Sequence, residues 1–416
     1  MNEASTKLDY ATPPPRGLRA LNRNVFVLGW VSLLTDMASE MLYPVLPLFI
    51  TGTLGASPAI LGLIDGVAEG GSSVLRWVAG AFSDRFRRRK TFVVAGYSVS
   101  AISKPLMGLA AYALGWPLLF AGRLLDRVGK SVRTGARDAL IADSTDPAVR
   151  GLAFGVHRAM DTAGAVLGPL VALAIITIKP NVPLAWLFFV ALVPGALSAL
   201  LAQMAVRDIP HEAHADAAPP PILQNYPRPM WHLIIAVAVF ALGNSSDAFL
   251  ILRSKELGLT FAQVILAFTV YNVVYAIAAI PLGGLSDRIG RKPVVAAGWL
   301  VYAIVYLGFA ATRSSLAPWG LLAIYGLYQA MTEGVTKALI SDVVSKDQRA
   351  GAIGLFYTVA GMSQFLASVV AGLLWSHQWI GLHAPFFVGA LCAILAIPLV
   401  LTAPTRTPSP SGRGLG

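Results

Sequence analysis

The stretch "GRLLDRVGKSVRTGARDALIAD", residues 122–143, concentrates charged residues in a chain that is otherwise apolar. On a helix, which turns 100° per residue, its charged side chains fall within an arc of roughly 140°. Aliphatic residues such as Leu125 and Val132 fill the opposite side. One face of this helix therefore needs water or counter-charge, and its charged residues are Arg123, Asp126, Arg127, Lys130, Arg133, Arg137 and Asp138.

Acids that could neutralise these cations occur four residues apart in two earlier segments. Asp36 and Glu40 form one pair, and Asp65 and Glu69 form the other. Residues four apart lie on one face of a helix, so each pair presents two carboxyl groups in the same direction. The bases and acids of this half of the chain nearly balance, which predicts a buried ion-pair network that includes Asp65, Glu69, Arg76 and Asp161.

The elements that carry these charges are predicted to be transmembrane helices. The 416 residues are 56% hydrophobic and 13% charged, with a mean hydropathy of +0.66, which is too apolar for an ordinary soluble domain. Segments of about 20 mainly apolar residues, long enough to cross a bilayer, recur about twelve times. The predicted spans are 24–50, 57–81, 91–113, 117–141, 151–176, 182–205, 230–251, 260–284, 293–311, 315–341, 350–376 and 383–402.

The distribution of basic residues predicts the orientation of these spans. A net charge of +11 could indicate a nucleic-acid partner, but the basic residues outside the spans occupy alternate loops, as in membrane proteins. The N-terminal tail lacks the apolar core of a removable signal peptide. We therefore expect an integral protein of the bacterial inner (cytoplasmic) membrane, with both termini cytoplasmic and no nucleic-acid partner.

The chain divides into two similar halves. A polar, Pro-rich linker at 206–229 separates two sets of six spans, 24–205 and 230–402, which polar tails at 1–23 and 403–416 flank. "GAFSDRFRRRK" from Gly80 matches "GGLSDRIGRK" from Gly283, and "RDALIAD" at 137–143 matches "TKALISD" at 336–342. Two parallel six-helix repeats explain these matches, and the fold class predicted is an all-α membrane protein with two pseudo-symmetric six-helix bundles.

The doubled loop resembles the "G-x-L-x-D-R-x-G-R-K" motif of the major facilitator superfamily, and the resemblance extends over nearly the whole chain. The second copy is complete, whereas the first has Phe82, Arg87 and Arg89 where Leu, Gly and Lys are usual. Its aspartates can accept hydrogen bonds or pair with Arg, and its basic residues can contact anionic lipid headgroups. We expect a conformational latch formed by Gly80, Asp84, Arg85, Arg88, Gly283, Asp287, Arg288, Gly290 and Arg291.

A second motif narrows the resemblance to one branch of that superfamily. "GAVLGP", with Gly164, Gly168 and Pro169, looks like the fifth-span motif of tetracycline-type and other drug:proton antiporters. Glycines four apart also permit close helix packing. The fourth span departs from that branch because Asp126, Arg127 and Ser131 replace the usual Gln, Gly and Ala. These charges favour a charged or zwitterionic solute over a hydrophobic drug.

The resemblance implies a central cavity lined by spans one, four, seven and ten. Carboxyl groups in a desolvated site can bind and release protons, and the candidates for proton coupling are Asp36, Glu40, Asp126 and Asp247. The candidates for the substrate cavity are Tyr43, Arg123, Arg127, Lys130, Asn244, Tyr271, Asn272, Gln329, Glu333 and Lys337.

Soluble-enzyme chemistry finds no support in the sequence. It contains no nucleotide-binding "GxxxxGK[ST]" and no "HExxH", and Cys392 is its only cysteine. We therefore expect no enzymatic activity, cofactor or metal site. The missing nucleotide-binding loop argues against direct ATP coupling, so we expect a monomer that moves a small solute with protons. Export by antiport is the leading interpretation; uptake by symport or facilitated diffusion and a transport-inactive receptor or assembly partner remain alternatives.

Overall fold

The computed structural model describes residues 21–86, 89–146, 149–208, 226–345, 348–377, 381 and 383–404, and these residues form helices and connecting turns without a strand. The chain crosses from one face of the molecule to the other twelve times. We number the crossings as spans 1–12: Arg23–Thr53, Pro58–Phe86, Arg89–Leu109, Trp116–Asp143, Arg150–Ile178, Ala185–Ala205, Arg228–Glu256, Phe261–Ile289, Arg291–Ala311, Ala317–Val343, Arg349–Ser376 and Ala384–Thr402.

Two spans are not the continuous helices that the hydropathy pattern predicts. Span 1 is an α-helix over Arg23–Leu42, followed by the short helix Leu46–Leu48 and a π-helical turn over Phe49–Thr53. Pro44 and Pro47 lie at this interruption, where they cannot donate backbone hydrogen bonds. Span 7 consists of Arg228–Gly243 and Ala248–Glu256, separated by four polar residues. The predicted single helix over 230–251 is therefore wrong.

The helix contacts repeat between the two halves. In the first half, span 1 packs on spans 5 and 6, span 3 on spans 4 and 6, and span 2 on span 4. In the second half, span 7 packs on spans 11 and 12, span 9 on spans 10 and 12, and span 8 on span 10. Each contact in the second half thus joins the spans whose numbers are six higher than those of the matching contact in the first half. The molecule therefore consists of two pseudo-symmetric six-helix bundles.

The two halves meet along two pairs of spans, 2 with 11 and 5 with 8. We call the side of the molecule that carries residues 21–22 and 403–404 the terminal face, and the side that carries loop 54–57 the distal face. At the distal face, Leu46–Leu48 packs against Ala248–Glu256, and the Ala59 amide donates to the Ser376 hydroxyl at 3.2 Å. The halves are thus in contact at the distal face.

Charge reduces the hydropathy of three spans. Among the described residues, nine helices are long and apolar enough to cross a membrane by length and composition alone. Spans 2, 4 and 10 are not among these nine. Each carries acids and bases within its length, and these charges lower its mean hydropathy.

Glycines allow spans 1 and 5 to approach each other closely. A Cβ atom added at Gly168 would lie 2.7 Å from the backbone nitrogen of Met41, and one at Gly164 would lie 3.1 Å from the Cα of Leu33. Pro169 follows inside the same helix. The motif of Gly164, Gly168 and Pro169 therefore lies at a backbone-to-backbone contact, where a side chain would separate the two helices.

We expect Gly168→Ala to destabilise the protein by about 1–3 kcal/mol, because the added methyl group overlaps the backbone of span 1. Gly155→Ala is the matched control, since it lies on the same helix and a Cβ there meets nothing within 4 Å. Thermal unfolding of the purified protein measures both effects. Equal unfolding midpoints for the two variants would show that the close approach contributes nothing to stability.

Candidate functional site

The arginines of span 4 pair with the acids of span 2. Arg123 donates to Asp65 at 3.2 Å, and Arg127 lies 3.0 Å from Glu69. Both arginines and Asp65 are buried, whereas the Glu69 side chain is 35% exposed. Of the two acid pairs that the sequence offers to these arginines, the pair on span 2 is the one that meets them, because span 2 packs against this part of span 4.

Asp126 occupies a different environment from its neighbours on span 4. It accepts a hydrogen bond from the Lys104 ammonium group of span 3 at 2.9 Å, and Ser103 lies 3.4 Å away. Asp126 and Lys104 are both buried. Asp126 therefore lies in the contact between spans 3 and 4, where Lys104 neutralises its charge, and its role in proton coupling stays a prediction.

The carboxyl group of Asp36 on span 1 lies beside the carboxyl group of Asp161 on span 5. Two neighbouring carboxyl groups can form a hydrogen bond to each other when one of them carries a proton. Asp161 also accepts from the Ser32 hydroxyl at 2.7 Å and lies 3.2 Å from Arg158. The close approach of spans 1 and 5 thus brings together two acids that the sequence separates by more than a hundred residues.

Glu40 and Lys130 remain without an ion-pair partner among the described residues. Glu40 follows Asp36 by one helical turn on span 1, and its side chain is partly exposed. Lys130 is exposed and acts electrostatically on both of these acids. These groups leave one cation and one carboxyl group of the first half available to a solute.

In the second half, Asp247 lies at the interruption of span 7. Its carboxylate accepts a hydrogen bond from Tyr325 of span 10 at 2.7 Å. The adjacent Ser246 hydroxyl donates to Asp65 at 2.8 Å and so links the second half to the first. Aromatic rings continue this contact, because Tyr43 of span 1 stacks on Phe268 of span 8 with centroids 5.3 Å apart.

The remaining polar residues of the second half lie on spans 8 and 10. Glu333 is 3.7 Å from Lys337 on its own helix and 3.5 Å from Arg158 of the first half. Arg158 also donates to Tyr275 at 2.7 Å, so it joins the two halves. Four other predicted cavity residues lie nearby. Tyr271 packs on Tyr325, and the buried amide nitrogen of Asn272 lacks a hydrogen bond. Asn244 lies at the interruption of span 7, and Gln329 interacts with Glu333.

The second copy of the loop motif lies at the terminal face. Gly290 has a φ of 95° and forms the turn between spans 8 and 9, after Gly283 and the exposed Arg288. Arg291 lies 3.6 Å from Asp287 and 2.5 Å from Asp342 of span 10. A cavity of about 440 Å³ opens beside these residues. These contacts hold three helix ends of one half together.

The first copy of the motif is described in part. Gly80, Asp84 and Arg85 lie on the helix of span 2, but their side chains lie outside the described residues, as do the Arg76 side chain and Arg88. Arg89 pairs with Asp143 at the end of span 4. The first residue of span 3 thus pairs with the last acid of span 4, as Arg291 pairs with Asp342 in the second half.

Several site residues escaped the sequence analysis. Ser32, Ser246 and Tyr325 are hydrogen-bonded to the three acids Asp161, Asp65 and Asp247, respectively. Hydroxyl side chains are common in apolar helices, where they bond to their own backbone. Only the position of Tyr325, four residues before Gln329 on one face of span 10, could have indicated its place in the site.

Comparison with known proteins agrees with this architecture. The model of the Major Facilitator Superfamily matches residues 28–252 and again 233–415. The chain belongs to the Major Facilitator Superfamily. An uncharacterized MFS-type transporter of Methanocaldococcus jannaschii is 39% identical over 389 residues, which cover 92% of this chain and 95% of the relative.

Solved structures of the superfamily have the same fold. The nucleoside transporter NupG superposes with a TM-score of 0.72 at 14% identity and covers 92% of this chain and 99% of its own. The D-xylose-proton symporter superposes with a TM-score of 0.73 at 14% identity, covering 92% and 97%. Membership of the Major Facilitator Superfamily, and not these two structures, makes the protein an integral membrane transporter and not an enzyme. At these identities the structures show the fold alone.

Neutralising one partner of the buried Lys104–Asp126 pair should be more harmful than neutralising both. We expect Lys104→Met or Asp126→Asn to destabilise the protein by about 3–5 kcal/mol, because each leaves an unpaired buried charge, and the double variant to be less destabilised than either. Asp287→Asn is the control: it removes a pair with an exposed acid and should cost less than about 1 kcal/mol. Thermal unfolding measures the effects, and strictly additive losses would contradict the pairing.

Proposed function

We propose that this protein is a proton-coupled secondary transporter that exports a small charged or zwitterionic solute by antiport. The proximity of the Asp36 and Asp161 carboxyl groups carries this proposal, because two adjacent buried acids favour holding one proton between them. Loss of that proton would leave two adjacent negative charges on spans 1 and 5. The protonation state of the pair would then bear on how these helices pack.

The solute site in this proposal lies beside the carboxyl pair. Lys130 would bind an anionic group of the solute, and Glu40 would bind a cationic group, since neither forms an ion pair with a described residue. Arg127 already pairs with Glu69, whose partial exposure leaves it able to exchange partners. An anionic group at Lys130 would weaken the attraction of that cation for Asp36 and so couple solute binding to proton binding.

Alternating access would proceed by rocking of the two bundles. The contacts at the distal face support a state that is closed there, and Arg158 joins the halves through Glu333 and Tyr275. Arg291–Asp342 and Arg89–Asp143 would keep each bundle rigid while it moves. Asp84 and Asp287 would favour one state of this rocking as conformational latches.

The direction and setting of transport are further parts of the proposal. The likeness of "GAVLGP" to the drug:proton antiporters supports export, and the basic loops support cytoplasmic termini in a bacterial inner membrane. Basic residues such as Arg288 and Lys292 at the terminal face would contact lipid headgroups. A single chain contains both bundles, so we propose that the monomer is the transporting unit.

We expect Asp36→Asn to abolish solute-driven proton movement while solute exchange without a proton gradient continues. The new amide can donate to Asp161 permanently, as the shared proton does in the native pair. Proteoliposomes that contain a pH-sensitive dye would be challenged with succinate, an amino-acid zwitterion and a neutral sugar. Glu256→Gln, which removes an acid at the distal end of span 7, is the control and should behave as the native protein does.

The sign of the pH change separates the alternatives in this assay. Solute entering the vesicles should move protons out by antiport and in by symport. A flux that the neutral sugar also elicits would contradict a charged solute. The absence of flux with every class of solute would favour a transport-inactive receptor, and unchanged proton coupling in Asp36→Asn would remove the carboxyl pair from the mechanism.

The proposed orientation predicts the reactivity of single cysteines in a Cys392→Ala background. Ala217→Cys, in the 206–229 linker, should react with a membrane-impermeant maleimide only after the cells are permeabilised. Ser57→Cys, in the exposed loop at the distal face, should react in intact cells. Labelling of Ala217→Cys in intact cells would reverse the orientation.

A further inference from the structure

The interruption of span 7 leaves backbone groups outside the helical hydrogen-bond pattern within a membrane-spanning segment. Helix Arg228–Gly243 ends before Asn244, and helix Ala248–Glu256 begins after Asp247. The carbonyl oxygens of Asn244 and Ser245 accept no hydrogen bond from any described residue. Unsatisfied backbone groups are costly at this depth, and in transporters such oxygens can coordinate an ion.

The carboxylate at this interruption has no cationic partner among the described residues. Asp247 accepts one hydrogen bond, from Tyr325, and the charged groups that act on it most are the acids Asp65 and Glu69. Its other neighbours are phenol groups, contributed by span 1 (Tyr43), span 8 (Tyr271), span 9 (Tyr302, Tyr306) and span 10 (Tyr325, Tyr328). An acid in these surroundings is neutralised by a proton or, where the proton is lost at alkaline pH, by a cation.

Two buried hydroxyl groups beside Asp247 also lack partners. The Ser245 hydroxyl and the Tyr306 hydroxyl make no hydrogen bond, although these residues are 3% and 0% exposed. They lie next to each other and to the Tyr325 hydroxyl. Because a hydroxyl oxygen offers lone pairs as well as a proton, these groups can turn their oxygens toward a positive ion.

We propose that the interruption of span 7 is a binding site for Na⁺. Asp247 would supply the charged ligand, Ser245 its hydroxyl group, and Asn244 and Ser245 their carbonyl oxygens, with Tyr306 close by. Every donor is a hard oxygen, which favours alkali and alkaline-earth ions over transition metals. A single carboxylate balances one positive charge, which favours a monovalent ion over a divalent one.

Binding of an ion at this site would affect the contact between the two halves. Ser246, inside the interruption, donates to Asp65 of span 2 and its amide bonds to the Ser368 hydroxyl of span 11 at 3.1 Å. An ion that orders residues 244–247 would therefore also order this contact and stabilise the closed distal face. This inference goes beyond the proton site at Asp36 and Asp161 and does not depend on it.

The test uses the purified full-length protein at alkaline pH and constant ionic strength, with NaCl replacing choline chloride. We expect saturable binding of radioactive Na⁺, about one ion per chain, and an unfolding temperature that rises with Na⁺. Asp247→Asn should abolish both effects. Ser245→Ala should weaken the apparent Na⁺ affinity roughly tenfold, which corresponds to about 1.4 kcal/mol.

Ser254→Ala is the matched control, because it removes the same hydroxyl group from span 7 where that group bonds to its own helix, to the Leu250 carbonyl oxygen at 2.8 Å. Its Na⁺ affinity should equal that of the native protein. If Asp247→Asn does not fold, the proposal is tested by the difference in Na⁺ affinity between Ser245→Ala and Ser254→Ala.

Three results would overturn the proposal: no saturable Na⁺ binding by the native protein, an equal thermal shift with choline, or equal affinities for the two serine variants. Asp36→Asn should keep its Na⁺ binding. Loss of proton coupling in that variant with intact Na⁺ binding would show that the two sites are independent, and failure of either proposal leaves the other standing.

Discussion

A charged group within the hydrocarbon layer must find a counter-charge, a hydrogen bond or water, and the arrangement of spans 2, 3 and 4 follows from this requirement. Span 4 carries Arg123 and Arg127 on one side and Asp126 on another. Span 2 supplies acids to the arginines, and span 3 supplies Lys104 to the aspartate. The rotation of span 4 about its axis is thus fixed by charge on two sides, and its neighbours must keep their registers to preserve both contacts.

The pairing leaves a small number of groups for function. Most charges on the inner surfaces of the first half are neutralised inside that half, which keeps them from binding solutes indiscriminately. Lys130, Glu40 and the adjacent carboxyl groups of Asp36 and Asp161 differ from them, because in the proposed mechanism they bind protons or solute. The contrast separates groups that hold the bundle together from groups that can change partners during transport.

The sequence predicted the span boundaries well because length and hydropathy are local properties. Each observed span end lies within five residues of its predicted position. The repeat of "GGLSDRIGRK" likewise predicted two equivalent halves.

The partners of the charged residues were harder to predict, because tertiary packing decides which helix faces meet. Arg123 pairs with Asp65 and not with Asp36. The proximity of Asp36 and Asp161 was unexpected, because two acids repel each other unless one of them is protonated. "GNSSD" in span 7 carried a signal for the interruption, as four polar residues in an apolar run.

The surface of span 2 that meets span 11 has a further consequence. Gly62, Gly66 and Gly70 recur every four residues along it and face the backbone or the Phe365 side chain of span 11. Helices with interlocking side chains must separate before they can turn, whereas a strip without side chains offers little resistance to turning. The smooth strip would allow span 2 to roll on span 11 while the two remain in contact. The activation barrier between states would then depend mainly on the polar contacts that break, and little on repacking of side chains.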